Sequence, residues 1–242
     1  MTGTTKRTLW ITGGGTGMGR AVALVAAGLG WSVAVSGRRR DALEAVVAEI
    51  AAEGGEAIAV PLDVRNRRAV ADAVRDVVAT FGSLDGLVLA AGQNAPQRRW
   101  DDQELDEFDS IVSTNLTAVA TTVDAALPHL RDGGGTVVAI SSYAGWSFQP
   151  GAGVAYSASK TAVSSLVRTL NQQEARHGVR ACHLCPGDVA TDFLEQRPQV
   201  PDAAAREVML SPEDIGRAVG FVIMSPAHVR VDELVISPVS QA

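Results

Sequence analysis

Seven short β-branched and apolar runs recur along the chain with longer helix-like stretches between them, and this alternation constrains the fold more than any other feature. The runs are "TLWIT" (8–12), "SVAVS" (32–36), "AIAVP" (57–61), "LVLAA" (87–91), "TVVAI" (136–140), "VRACHL" (179–184) and "ELVIS" (233–237). They are continuously apolar instead of alternating in polarity, which is the pattern of strands covered on both faces. Between the third and fourth runs, Ala69, Val70, Ala73, Val74, Val77, Val78 and Phe81 form one apolar stripe of a helix over about 66–81, with charges opposite. Strand–helix–strand repetition predicts an α/β fold: a doubly wound, Rossmann-like, mostly parallel seven-stranded sheet with right-handed crossovers and helices on both faces. No internal repeat or linker interrupts it, so a single domain over 1–242 is expected.

Composition narrows the partners. The net charge is −6, whereas binding a nucleic-acid backbone needs clustered Lys and Arg; only Arg38, Arg39 and Arg40 form a local basic run. The longest apolar runs, such as "AVALVAAGLGW", are too short and too interrupted by Gly to span a bilayer, and "MTGTTKRTLWIT" lacks the apolar stretch of a signal peptide. A cytoplasmic protein that binds neither nucleic acid nor membrane is expected. Cys182 and Cys185 form a C-x-x-C, but an offset of three in a strand sends the two thiols to opposite faces, and no second Cys pair exists. They read as structural, and no metal site is expected.

In an open parallel sheet, ligands bind beyond the carboxyl ends of the strands, near the point where strand order reverses. The chemically suggestive residues do follow strands. After the first comes "TGGGTGMG", framed by Thr12, Gly13, Gly17 and Gly19 and containing Gly15, Thr16 and Met18, which opens directly into a helix. Glycine lets the backbone turn tightly and approach a pyrophosphate, and the free N–H groups of the helix start attract it. The second strand ends in "SGRRR", where such folds read the adenosine ribose. An acid there would accept from a 2′-hydroxyl; Gly37 followed by Arg38 and Arg39 favours a 2′-phosphate instead, hence NADP(H) over NAD(H). Asp63 and Val64 follow the third strand, at the adenine position.

In "YSASK", Tyr156 and Lys160 project from one helix face about one turn apart. A free tyrosine with a pKa of about 10 is a poor base near neutral pH. A cation about 4–6 Å away favours the phenolate by roughly one to three units, so Lys160 reads as the activator of Tyr156.

With "AISSYAG" after the fifth strand and "PGDVAT" after the sixth, these motifs complete a pattern that resembles the short-chain dehydrogenase/reductase family in its single-domain form. The resemblance covers nearly the whole chain: T-G-x-x-x-G-x-G at 12–19, Asn115 in the helix after strand four, Ser142, Y-x-x-x-K at 156–160, and P-G with a following Thr at 186–191. Two departures stand out. "LAAG" (89–92) replaces the frequent "NNAG", and "VRVDELVISPVSQA" replaces the frequent valine-aspartate-glycine-glycine ending. That ending is similar to those of NADP-linked members acting on small hydroxy acids and amino alcohols.

The resemblance implies an oxidoreductase that moves hydride between NADP(H) and a secondary alcohol/ketone or aldehyde. Tyr156 would be the proton-transferring group, Ser142 would hold the substrate oxygen, and Asn115 would hold a water linking Lys160 to solvent. Lys160 would also bind the nicotinamide ribose. Ala91, Gly92, Pro186, Gly187, Val189 and Thr191 would complete the coenzyme site, Thr191 by bonding the carboxamide. A pocket for a small-molecule substrate is expected from Gln93, Asn94, Ser142, Trp146, Phe148 and Phe193, and no Arg or Lys stands beside Ser142 to announce a carboxylate. His129 and His183 read as packing residues. Apolar surplus on helices over about 105–130 and 156–177 predicts a homotetramer. A catalytically silent NADP-binding sensor or scaffold of the same fold is the main alternative, with an epimerase or dehydratase behind it.

Overall fold

The computed structural model describes residues 6–241. Residues 1–5, the start of the stretch read above for a signal peptide, and residue 242 lie outside the described residues. Seven strands, β1 (Thr8–Thr12), β2 (Ser32–Gly37), β3 (Glu56–Pro61), β4 (Gly86–Leu89), β5 (Thr136–Ile140), β6 (Arg180–Pro186) and β7 (Glu233–Ile236), pair in the order β3-β2-β1-β4-β5-β6-β7. Every pairing is parallel. The chain builds outward from β1 to β3 and then returns to lay β4 against the other side of β1. The reversal of strand order therefore falls between β1 and β4.

Strand parity sorts the core into two layers. Leu9 and Ile11 of β1 face α1 (Gly17–Gly28) and α2 (Arg40–Ala52), while Trp10 faces the layer that contains α3 (Arg67–Phe81). Burying the indole of Trp10 is compatible with its polar edge because Nε1 donates to Ser36 Oγ on the neighbouring strand at 2.8 Å. Helix α3 starts where Asn66 accepts from the backbone N–H groups of Arg68 and Ala69, and ends at Gly82 in the left-handed region (φ +85°). Its buried face is Val70, Ala73, Val74 and Val77, the stripe visible in the sequence.

The helix expected over about 105–130 is divided into α4 (Leu105–Val112), a π-turn at Ser113–Thr117, and α5 (Ala118–Leu130). Beyond β5 come the single turn α6 (Tyr143–Trp146) and the long α7 (Val154–Glu174); α8 (Ala203–Glu207) and α9 (Pro212–Met224) precede β7. Helix α9 opens with a capping box between Ser211 and Asp214 and packs on the α1 side of the sheet. The run at 87–91 ends as a strand at Leu89, and Ala90 N–H still bonds Thr12 O at 3.1 Å beside the end of β1. None of the described helices is long and apolar enough to cross a membrane.

Candidate active site

A cavity of about 600 Å³ opens at the carboxyl ends of the strands, centred on the reversal of strand order. One end is walled by backbone. Gly13 sits at φ +67°, and a Cβ there would lie 2.7 Å from Ala91 N; at Gly19 a Cβ would lie 2.1 Å from Gly13 O. The turn thus folds against its own helix and against β4 with no space for side chains. The start of α1 has neither a side-chain cap nor an acidic residue in its first turn, so its N–H groups face the cavity as unopposed donors. A pyrophosphate fits this cradle, and a dinucleotide fits the cavity that runs from it.

Arg38 and Arg39 border the same end, as do Gly15, Thr16, Gly17 and Met18, and Arg39 Nη2 donates to Thr16 Oγ1 at 3.3 Å. Asp63 and Val64 line it too, joined by Arg65, a residue the sequence reading did not single out. Arg65 Nε and Nη2 engage both carboxylate oxygens of Asp63 at 2.6–3.1 Å, and this contact holds the carboxyl below the usual aspartate range.

The other end is walled by side chains. Thr12 Oγ1 accepts from Ala91 N–H at 3.4 Å, so "LAAG" is held by β1 without the usual asparagines. Beside it, the π-turn turns Asn115 inward, fully buried: Oδ1 accepts from Gln93 N–H at 2.8 Å, and Nδ2 donates to Gln93 O at 2.9 Å. A Cβ on Gly92 would lie 3.7 Å from both Asn115 Oδ1 and Lys160 Nζ, so the amide and the amine converge on this glycine.

Tyr156 and Lys160 occupy the first two turns of α7, with Nζ 5.7 Å from the phenol ring centroid. Lys160 is buried and donates to Ile140 O at 3.0 Å, and burial lowers its pKa to about 8. Tyr156 is half-buried, open to the cavity on one side, and the surrounding protein pushes its pKa above the ordinary phenol value. The Ser142 hydroxyl, Arg197 and Arg98 oppose that rise. The Lys160 amine thus lies 5.7 Å from the phenol ring while donating to the last carbonyl of β5. Two further cations that the sequence reading did not single out, Arg98 and Arg197, act on the same phenol. Ser142 also caps α6, Oγ accepting from Ala144 N–H at 3.2 Å, while Ser141 Oγ donates to Lys160 O at 3.0 Å.

On the substrate side, Gln93, Asn94 and Phe193 line the cavity, the Phe193 ring 6.1 Å from that of Tyr156. Trp146 and Phe148 do not: they are 50% and 80% exposed, and Trp146 packs edge-on against Tyr143 on α6. Their segment turns outward after α6, which corrects the expected aromatic wall. Thr191 lines the cavity with its methyl against Gly17, whereas Pro186, Gly187 and Val189, expected to complete the coenzyme site, are not on the cavity wall. Gly187 N–H bonds Ile236 O at 2.7 Å and Val189 is buried in the core. His183 is buried, with Nδ1 3.0 Å from Glu233 and 3.3 Å from Cys185 Sγ; His129, in the last turn of α5, is not on the cavity wall. Both thiols are free, and burial pushes each up to about 12.

Comparison with known proteins matches this geometry. The family described as short chain dehydrogenase matches residues 7–201. An uncharacterized oxidoreductase from Staphylococcus aureus is 32% identical over 240 residues, covering 99% of this chain and 100% of that protein. An alcohol dehydrogenase from the archaeon Thermococcus sibiricus, solved with 5-hydroxy-NADP, superposes with a TM-score of 0.89 at 31% identity, over 98% of each chain. The closed form of a serine dehydrogenase with NADP+ gives 0.86 at 28% identity, over 97% of this chain and 96% of that one. A glycine cradle at the reversal of strand order, a tyrosine and lysine one turn apart, and a match over most of the length agree: the chain belongs to the short-chain dehydrogenase/reductase family of oxidoreductases, which bind a nicotinamide coenzyme.

Proposed function

We propose that the protein is an NADP(H)-linked oxidoreductase acting on a secondary alcohol/ketone or aldehyde. The observation that carries this reading is the convergence of the Tyr156 phenol and the Lys160 amine at one end of a cavity whose other end carries Arg38 and Arg39, with the Ser142 hydroxyl beside the phenol. When bound, the coenzyme supplies or accepts the hydride. The protein's own groups manage the oxygen and its proton. Ser142 donates a hydrogen bond to the substrate oxygen, and Tyr156 gives that oxygen a proton during reduction or takes it during oxidation. A phenol held above its ordinary pKa stays protonated near neutral pH, the form needed to donate. Lys160, mostly protonated below about pH 8, places its cation one turn further along the same helix face. Asn115 fixes the backbone of Gln93, so the wall opposite Tyr156 keeps its shape.

The coenzyme preference rests on Arg38 and Arg39 beside Gly37, with no acid in the position that would accept from a ribose 2′-hydroxyl. One charge-assisted bond to a 2′-phosphate is worth about 1.5–3 kcal/mol, or roughly 10- to 150-fold in affinity. The test is kcat/KM for NADPH and NADH across a panel of ketones and aldehydes, for the wild type and Arg38→Ala. NADPH preference that shrinks by about tenfold or more in the variant is expected. Equal or NADH-favouring values in the wild type would overturn the coenzyme assignment, and coenzyme binding without turnover on any carbonyl would favour the scaffold reading.

A further inference from the structure

Arg98 and Arg99 are adjacent in the loop after β4, yet only Arg98 is buried, at 7% exposure. Its guanidinium is spent on backbone carbonyls from three places. Nε donates to Ala95 O at 2.6 Å, Nη1 reaches Gly151 O at 3.5 Å, and Nη2 donates to Gln196 O. Its own carbonyl accepts from the N–H of Val154, the first residue of α7, at 3.0 Å. The stem crosses Gly153, where φ is +98° and a Cβ would come within 2.7 Å of Arg98 Cβ. α7 has no side-chain cap, so this loop carbonyl does part of that work. Two neighbours strengthen the junction: Asn94 N–H donates to Gln196 Oε1 at 2.8 Å, and Asn94 Nδ2 to Ala152 O at 3.1 Å.

The charge on this side chain is unusual. Arg197 is paired with Asp188, but among the described residues no carboxylate pairs with Arg98. A buried cation bonded only to neutral carbonyls is costly, and an anion that forms beside it lowers that cost. Tyr156 lines the same small cleft as Arg98, together with Glu104 and Glu107 at the start of α4. Resting on the oxidoreductase reading above, we propose that Arg98 is a positioning residue for the phenol: it seats the first turn of α7 against the loops at 95–98 and 192–197 and holds an unpaired positive charge beside Tyr156. The other groups around that phenol are Ser142 after β5, Lys160 on its own helix, and Arg197 with Asp188 after β6; Asp102 faces Arg98. Arg98 and Arg197 act in the same sense, both favouring the phenolate, while Asp188 acts against it.

The chain has two tyrosines, Tyr143 and Tyr156, which makes a direct test practical. The protein is produced with meta-fluorotyrosine, the Tyr156 fluorine resonance is assigned with Tyr143→Phe, and its titration midpoint is followed by NMR in the wild type, Arg98→Gln and Arg98→Lys. This readout needs no turnover. The midpoint should move to higher pH in Arg98→Gln and stay near the wild type in Arg98→Lys. Carbonyl reduction by Arg98→Gln should lose about tenfold to a hundredfold in kcat/KM, the cost of a small displacement at a reacting group. An unchanged midpoint in folded Arg98→Gln overturns the electrostatic role. If that variant does not fold, Arg98→Lys decides, because it keeps the charge but cannot reach three carbonyls; wild-type kcat/KM there overturns the seating role. Absence of turnover in the wild type would instead count against the oxidoreductase reading, and the fluorine midpoints would still decide the place of Arg98.

Discussion

The two ends of the cavity are built from different materials. After β1 to β3 the wall is main chain: glycines at positive φ, the open N–H groups of α1, and arginines at its rim. After β4 to β6 the wall is side chain, with Asn115, Tyr156 and Lys160 held by hydrogen bonds or packing from elements far apart in sequence. A backbone wall binds whatever presents phosphates and is spoiled by added atoms. A side-chain wall does chemistry and is spoiled by removed atoms. The two ends should therefore fail separately.

The sharpest separation is expected from Tyr156→Phe. It removes the transferable proton and little else, so turnover should fall by about 10²- to 10⁴-fold while coenzyme affinity, measured by NADPH fluorescence titration, stays near the wild type. A Tyr156→Phe enzyme with near-normal rate would break both the comparison and the assignment. Gly19→Ala attacks the opposite end. Its Cβ would lie 2.1 Å from Gly13 O, so the turn must shift, at a stability cost of about 1–3 kcal/mol with loss of coenzyme binding. Wild-type affinity in a folded Gly19→Ala protein would show that the backbone wall is less strict than its packing implies.

The smallest effect concerns stability alone. Burial holds Lys160 at about 8, below its unfolded value of 10.5, so between those pH values the unfolded chain binds more protons than the folded one. Stability of the coenzyme-free protein should therefore gain a rising contribution from pH 8 to 10.5 that is absent in Lys160→Met. Below pH 8 the full penalty applies, about 3 kcal/mol, and Lys160→Met should be the more stable protein there by about 1–3 kcal/mol while losing activity. Denaturant midpoints at several pH values measure it, and a Lys160→Met protein less stable than the wild type at neutral pH would show that the bond to Ile140 O outweighs the burial of charge.

The backbone end was the more legible in sequence. Glycines have local causes, so "TGGGTGMG" could be interpreted from its position after one strand, and the strand runs matched the observed strands to within a few residues at each end. Tyr156 and Lys160 were legible for the same reason, a spacing within one helix. Arg98 was not: its partners at Gly151 and Gln196 lie 53 and 98 residues away, and nothing local distinguishes it from Arg99. Trp146 and Phe148 misled because residue type alone suggested a pocket wall, while the direction of the loop after α6 decides where they point. The π-turn had no signal in apolar periodicity, since α4 buries only Ile111 and the regular buried face of α5, Ala118, Thr122, Ala126 and Leu130, begins after the turn.

That π-turn bears on how this protein could change over time. An α-helix advances about 100° per residue, so one extra residue in the ladder is a frame offset confined to Ser113–Thr117. Losing a single codon there would let α4 run on into α5 as ordinary helix and leave the sheet untouched, but it would swing Asn115 away from Gln93. The fold would survive a lesion that the wall of the active site would not. Among descendants of this chain, a one-residue deletion in these five residues is therefore a route to a protein that keeps the coenzyme cradle and loses the shape of the opposite wall.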